Sequence, residues 1–380
     1  MKIGILTLVP YDNYGGILQG YALQTILQRN GHDVHILRTK LYNYRPKRTI
    51  IKDTIKWLIK YYLLKRKDVP CINIYKYLPY RVQKIQPFIN KWINFTRTFR
   101  NSHDIYNFII KEKYEGFVVG SDQVWRPCLS PDLYHMFLDF LPPTDKRKRV
   151  AYAASFGVDN NEFSNSQIKI CKHLLQRFDA ISVRERSGIN LCKKLFDVEA
   201  VNVLDPTMLL DKEDYLSLIK NYIPINPNIQ LMQYVFFFNN DENNIISKIS
   251  QLLGIEPTNL MTKRFLHQVY EKNQLKDSVF CPVEEWIYAY SHSKFVITDS
   301  FHGTVFCIIF NVPFIVVSPV ASTRFQSLLS TFGLEHRLVM KSEEVTSNLI
   351  NEKINWNAIN KKREELKEQS INFLISSLNN

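Results

Sequence analysis

Residues 295–317 read FVITDSFHGTVFCIIFNVPFIVV. Phe295–Ile297 is a short apolar run that ends at Thr298-Asp299-Ser300. Phe301, His302, Gly303 and Thr304 follow and open an apolar stretch to Phe310. Asn311-Val312-Pro313 interrupts it, and Phe314–Val317 resumes an apolar run. The pattern is strand, polar turn, helix, strand. The turn places a histidine, two hydroxyls and free backbone N–H groups at a helix N-terminus. That arrangement suits an anion, and phosphate in particular.

The same rhythm recurs along the chain. Ile3–Leu8 reads as a buried parallel strand, followed by the loop Tyr11–Gly16, a helix over Ile17–Gln28 and a second strand over Asp33–Leu37. Further short apolar runs stand at Gly116–Val119, Val150–Ala154, Ala180–Val183, Ala200–Leu204, Gln230–Phe238 and Pro313–Val317. Strands alternating with helices predict an α/β architecture with parallel sheets. With 380 residues the chain has room for two domains, each with its own core. Asp205-Pro206-Thr207 and the connector 222–228 put a boundary near 210. The expected division is 1–210, 211–350 and a charged amphipathic helix within 351–380.

Composition narrows the function classes. The apolar share of 45% is that of a globular protein. No apolar run approaches the roughly 18 residues of a membrane span. MKIGILTLVP reads as a first strand rather than a secretory signal, so a cytoplasmic location is expected. The six cysteines stand at 71, 128, 171, 192, 281 and 307 without metal-type spacing. Reduced thiols are expected, with no metal and no cofactor.

The net charge of +13 is concentrated in one region: residues 1–100 hold 19 Lys and Arg against 4 Asp and Glu. Within the insert 45–100, Thr49–Leu64 sets Ile51, Ile55, Leu58, Ile59 and Tyr62 on one helical face, with Lys52, Lys56 and Lys60 elsewhere. Two readings follow. The helix is an ordinary core helix with a wet lysine side, or segment 45–67 contacts an anionic membrane surface. No nucleic-acid motif accompanies the charge.

Candidate site residues sit where strands end, the usual ligand position in open α/β sheets. Asn13, Tyr14 and Gly15 form a βα loop that allows close backbone approach to a ligand. Gly120–Pro127 holds Asp122, suited to take a proton from a hydroxyl, with Trp125 to stack on a sugar face and Arg126 beside it. Arg184 ends a strand and suits bidentate anion binding. His302 suits phosphate binding or general-acid work, with Ser300, Gly303 and Thr304 around it. Arg324 opens a helix and is a second anion clamp. The ordinary alternatives are a tight turn, an N-cap aspartate, a core tryptophan, a surface Arg–Glu pair and a solvated helix start. No Walker loop, dinucleotide fingerprint, Gly-x-Ser-x-Gly elbow or kinase signature is present. The residues alone point to a two-domain α/β transferase using a phosphorylated donor.

Several segments together resemble the polysaccharide pyruvyl transferase family. They are Asn13-Tyr14-Gly15 with Gln19–Leu23, Gly120–Trp125, Tyr152–Gly157, Ser182–Glu185, Asp205-Pro206-Thr207 and Thr298–Gly303. The resemblance implies a GT-B-like fold, two Rossmann-like domains facing across a cleft, with the C-terminal helix crossing back to the first. It implies transfer of the pyruvyl group of phosphoenolpyruvate to a sugar of a cell-surface polysaccharide or its lipid-linked precursor, giving a ketal. It implies that His302, Arg184 and Arg324 serve the donor, and that the first domain with its basic insert serves the acceptor. Two rivals remain at this point: a GT-B glycosyltransferase with a nucleotide-sugar donor, and a non-enzymatic basic surface-binding protein.

Overall fold

The computed structural model describes residues 1–8, 12–39, 47–66, 69–70, 74–130, 132–236, 240–318 and 323–379. Of the expected features, Tyr11, Ser322, part of the basic segment 45–67 and the end of the run Gln230–Phe238 lie outside these residues.

Two parallel sheets organise the chain. The first holds β1 (Lys2–Leu6), β2 (Asp33–Arg38), β3 (Phe95–Thr98), β4 (Gly116–Val119), β5 (Lys148–Ala154), β6 (Ala180–Val183) and β7 (Val201–Asn202), in the order β3-β2-β1-β4-β5-β6-β7. The second holds β8 (Leu231–Tyr234), β9 (Pro257–Asn259), β10 (Phe295–Thr298), β11 (Phe314–Val317) and β12 (Leu338–Val339), in the order β12-β11-β10-β8-β9. The strand order reverses between β1 and β4 in one sheet and between β10 and β8 in the other. Ligands of doubly wound sheets bind beyond the carboxyl ends of the strands at such reversals. The loop at Gly120 and the turn at Asp299 occupy those two places.

Three strands go beyond the expected set: β3, β9 and β12 are edge strands. β3 (Phe-Thr-Arg-Thr) and β9 (Pro-Thr-Asn) carry polar residues and β12 is only two residues long, so none has the apolar run of a central strand. The run Ala200–Leu204 forms only the two residues of β7.

Two helices face each other between the sheets. One spans Tyr14–Arg29, capped by Asn13, whose side chain accepts from the Gly16 N–H. The other spans Phe301–Phe310, capped by Ser300. Both are buried on nearly every side, which explains apolar sequences without a clear wet face. Tyr14 crosses between the domains. Its hydroxyl donates to the Cys281 carbonyl at 2.9 Å and its ring stacks on Trp286. The C-terminal helix Trp356–Asn379 returns to the first domain, where Ser370 Oγ accepts from the Leu204 N–H at 3.0 Å; its Arg363 and Lys367 pair with Asp211 at the boundary. No helix among the described residues is long and apolar enough to cross a membrane.

Candidate active site

The centre of the cleft is a buried cluster of charges. Arg184 leaves the end of β6 and is 6% exposed. Its guanidinium lies 3.0 Å from Asp205 Oδ2, 3.4 Å from Asp122 Oδ1 and 3.8 Å from Glu185 Oε2. The Phe301 ring lies under it, 4.2 Å from Cζ. Burial works against the Arg184 charge, but the three carboxylates outweigh it and raise its pKa.

Asp205 ties this cluster to the second domain. Its Oδ1 accepts from the Thr207 N–H and hydroxyl, at 3.0 and 2.7 Å. Its Oδ2 receives Arg184 and, at 3.3 Å, the Ser121 hydroxyl. His302 Nε2 stands 3.5 Å from the same oxygen, close enough for an ion pair but out of line for a hydrogen bond. Burial alone would raise the Asp205 carboxyl. The His302 and Arg184 charges and the Thr207 hydroxyl reverse that and hold it well below the usual carboxylate range.

The backbone around Gly15 sets the His302 ring. A Cβ at Gly15 would fall 2.2 Å from His302 Nδ1. Only glycine lets the start of the first helix approach the imidazole so closely. Gly15→Ala is therefore expected to displace the ring, lower turnover at least about ten-fold and lower the melting temperature, because the added Cβ would also fall 2.5 Å from His302 Cβ. Parental kinetics in that variant would show that the ring position is not critical.

The hydrogen bonds at the first reversal point form a closed set. Gln19 donates to Thr7 and accepts from the Ser121 N–H, while the Thr7 hydroxyl donates to the Ser121 carbonyl. Asp122 follows with φ of 70°, and its carbonyl accepts from Ser155. Glu185 Oε1 accepts from the Ser155 hydroxyl and the Phe156 and Gly157 N–H groups.

A cavity of about 360 Å³ opens beside the cluster, between β6–β7, the helix Thr323–Phe332 and the C-terminal helix. Its wall carries four cations, Arg184, Arg186, Arg324 and Lys362, against one carboxylate, Asp205. Arg324 is the unusual member. Among the described residues it has no ion-pair partner, and its buried Nε has no hydrogen bond. Burial, with the nearby Arg184 charge, lowers its pKa. A partly desolvated guanidinium with no ion pair among the described residues is an anion-binding feature.

The structure redistributes the expected roles. Arg184 is committed to three carboxylates, so the arginine on the wall without an ion pair among the described residues is Arg324, with Arg186 on the same wall. Ser300, Gly303 and Thr304 serve the turn rather than the cavity. Ser300 Oγ accepts from the Gly303 N–H and the Thr304 hydroxyl donates to the Ser300 carbonyl. A Cβ at Gly303 would strike Tyr290 Oη and Thr298 Oγ1. None of the three is part of the cavity wall.

Trp125 is not a sugar platform. It is fully buried, its Nε1 donates to the Met136 carbonyl, and it stacks on Phe137. Tyr14 is likewise packed between the domains. Asn13 stays exposed at its cap, and Arg126 is held by Glu162 and Gln123. His302 lies behind Asp205 rather than on the wall. Asp205, Glu185 and Arg186 carry more of the site than their sequence context suggested. The signal available for Asp205 was its position at a strand end, followed by Pro-Thr. Among the described residues no group of three or more His, Cys, Asp or Glu is placed to hold a metal ion.

The family model of polysaccharide pyruvyl transferases matches residues 13–319. The chain belongs to that family. It is thereby a transferase of polysaccharide biosynthesis, and the matched segment contains Asp122, Arg184, Asp205 and His302. No curated protein matches the sequence.

Solved structures with a similar fold include a putative UDP-N-acetylglucosamine 2-epimerase from Listeria monocytogenes. It is 8% identical, with a TM-score of 0.54 over 100% of this chain and 95% of that one. The UDP-GlcNAc 2-epimerase from Neisseria meningitidis bound to UDP-GlcNAc is 10% identical, with a TM-score of 0.52 over 100% and 99%. S. aureus MnaA, solved with UDP, is 12% identical, with a TM-score of 0.53 over 100% and 97%. The likeness is one of fold: the family member described here has the GT-B architecture, two Rossmann-like domains across a cleft.

Proposed function

We propose that this transferase moves the pyruvyl group of phosphoenolpyruvate onto two hydroxyls of a sugar in a polysaccharide or its lipid-linked precursor. The proposed reaction runs in the cytoplasm, where phosphoenolpyruvate is made. The observation that carries this reading is Arg324, whose buried Nε has no hydrogen bond and which has no ion pair among the described residues, in a cavity whose charged groups are mostly cationic. Phosphoenolpyruvate brings a phosphate and a carboxylate, two anions for Arg324 and Arg186. Family membership supports the transferred group.

The chemistry balances as follows. A proton adds to the methylene carbon, leaving an oxocarbenium-like centre at the adjacent carbon. One sugar hydroxyl attacks there and loses its proton. The bond from that carbon to the phosphate oxygen breaks, and phosphate leaves. The second hydroxyl closes the ketal. Of the two hydroxyl protons, one replaces the proton delivered to the methyl group and the other leaves with phosphate. In this scheme His302, held by Asp205, supplies a proton or stabilises the leaving phosphate. Asp122 accepts the hydroxyl proton, and Asn13 and Arg126 border the acceptor's path.

The test is release of phosphate from phosphoenolpyruvate with a panel of sugar acceptors, together with thermal shift. Phosphoenolpyruvate is expected to raise the melting temperature and UDP to leave it unchanged. Arg324→Ala is expected to weaken phosphoenolpyruvate binding roughly 10- to 100-fold, the value of charge-assisted hydrogen bonds in a dry site. Stabilisation by UDP with none by phosphoenolpyruvate would replace this reading with nucleotide-sugar transfer.

A further inference from the structure

The helix Lys47–Leu58, continued by the π-helical turn Ile59–Leu63, presents its apolar side to solvent. Ile51, Ile55, Leu58, Ile59 and Tyr62 are 42–64% exposed, and Leu63 and Leu64 are 76% and 59% exposed. A different face meets the protein. Trp57 Nε1 donates to the Pro70 carbonyl at 2.7 Å, Tyr61 stacks on Trp57, and Asp53 and Thr54 are half-buried. The core-helix reading of this segment is therefore excluded: the stripe that a core helix would bury is the one left open.

Charge accompanies the stripe. At about 100° per residue the exposed apolar positions 51–62 fall within an arc of roughly 100°. Lys52, Lys56 and Lys60 lie along one border of that arc and are exposed. Residues 47–66 hold seven Lys and Arg against one Asp.

We infer that this surface docks onto an anionic lipid bilayer. The stripe enters the boundary between headgroups and acyl chains, and the lysine row lies at the level of the lipid phosphates. Tyr62 takes an interfacial position, where aromatic rings are favoured. A bilayer satisfies both halves of the surface. Nucleic acid would satisfy only the charge. A second copy paired about a two-fold axis would bring two strongly basic segments together.

In sequence the surface precedes a helix that reaches the cleft. Arg81, in the helix Ile74–Arg81 that follows, lies 3.5 Å from Asp12 beside the Asn13 loop, and over the Phe280 ring. The docking does not depend on the donor or on the acceptor.

The test is co-sedimentation of the full-length protein with vesicles. One set is phosphatidylcholine, the other phosphatidylcholine and phosphatidylglycerol in equal parts. Binding is expected only to the second set, and high salt is expected to reverse it. The triple change Lys52→Ala, Lys56→Ala and Lys60→Ala is expected to weaken binding on the order of 100-fold. The triple change Ile55→Glu, Leu58→Glu and Tyr62→Glu is expected to abolish it. These positions are exposed, so melting temperature and phosphate release with a soluble acceptor are expected to stay parental. No binding to anionic vesicles, or parental binding by the glutamate variant, would overturn the inference. So would a dimer in solution that the glutamate variant converts to monomer.

Discussion

Replacing His302 with alanine is expected to lower phosphate release from phosphoenolpyruvate by roughly 10²–10⁴-fold, the range spanned by positioned proton-transfer groups. His302 is 6% exposed and sits in the first turn of a helix, with the Gly15 backbone against its ring. A histidine kept only for packing would have its buried nitrogens hydrogen-bonded. Here Nε2 is buried without a hydrogen bond and faces Asp205 from 3.5 Å. Nε2 is thus left without a hydrogen-bond partner, next to the carboxylate that faces it. Loss of the ring opens a space without stripping the buried Asp205 carboxylate of its partners, because it keeps Arg184 and Thr207. The fold is therefore expected to survive.

His302→Gln separates two roles. If His302 transfers a proton, glutamine is as inactive as alanine and the pH dependence of kcat changes shape. If it only holds phosphate, glutamine restores much of the rate. A His302→Ala enzyme within about three-fold of the parent in kcat/KM would remove the residue from the chemistry altogether.

The central strands were legible because parallel strands buried on both faces read as unbroken apolar runs. Those of β1, β4, β10 and β11 could be placed to within a residue or two. The edge strands were not legible. Pro257–Asn259 and Leu338–Val339 have too few apolar residues to stand out, and only pairing with β8 and β11 makes them strands. Site residues were visible as classes at strand ends, but their pairings were not. Arg184 looked like a free clamp because the carboxylates that occupy it include Asp122, 62 positions away, and Asp205, 21 away. Trp125 looked like a platform because it follows a strand within a polar loop. The loop folds back after Asp122 and carries the indole into the core beside Phe137 and Phe156. Helical periodicity located the apolar stripe of segment 47–63 but could not say which side faces solvent. Trp57 and Tyr61, off that stripe, determine it.

Asp205→Asn tests the electrostatic design of the cleft, and three effects are expected together. The first is stability. Asp205 is buried and is the nearest carboxylate to Arg184. Removing one partner of a buried ion pair typically costs about 3–5 kcal/mol. Asparagine keeps an acceptor for Thr207, so the lower end of that range applies, a fall of roughly 10 °C in melting temperature.

The second effect is its pH dependence. The folded-state pKa of Asp205 is depressed below its ordinary value of 3.8. Its contribution is therefore present in full above that value and is lost as pH falls further toward the folded pKa. The difference in stability between parent and variant should be constant near neutrality and shrink in acid below about pH 4. A difference that instead grows in acid would place the charge elsewhere.

The third effect is kinetic. Among the described residues Asp205 is the one carboxylate on the cavity wall, and its loss makes the cavity more cationic, so the KM for phosphoenolpyruvate is expected to hold or fall. At the same time His302 loses the charge that orients it, so kcat is expected to fall roughly 10²–10⁴-fold, as when an orienting carboxylate is neutralised elsewhere. A structural role alone would lower the amount of folded enzyme and leave kcat per folded molecule unchanged. A split between KM and kcat in folded Asp205→Asn protein is therefore the signature of a carboxylate that opposes donor binding and supports donor chemistry.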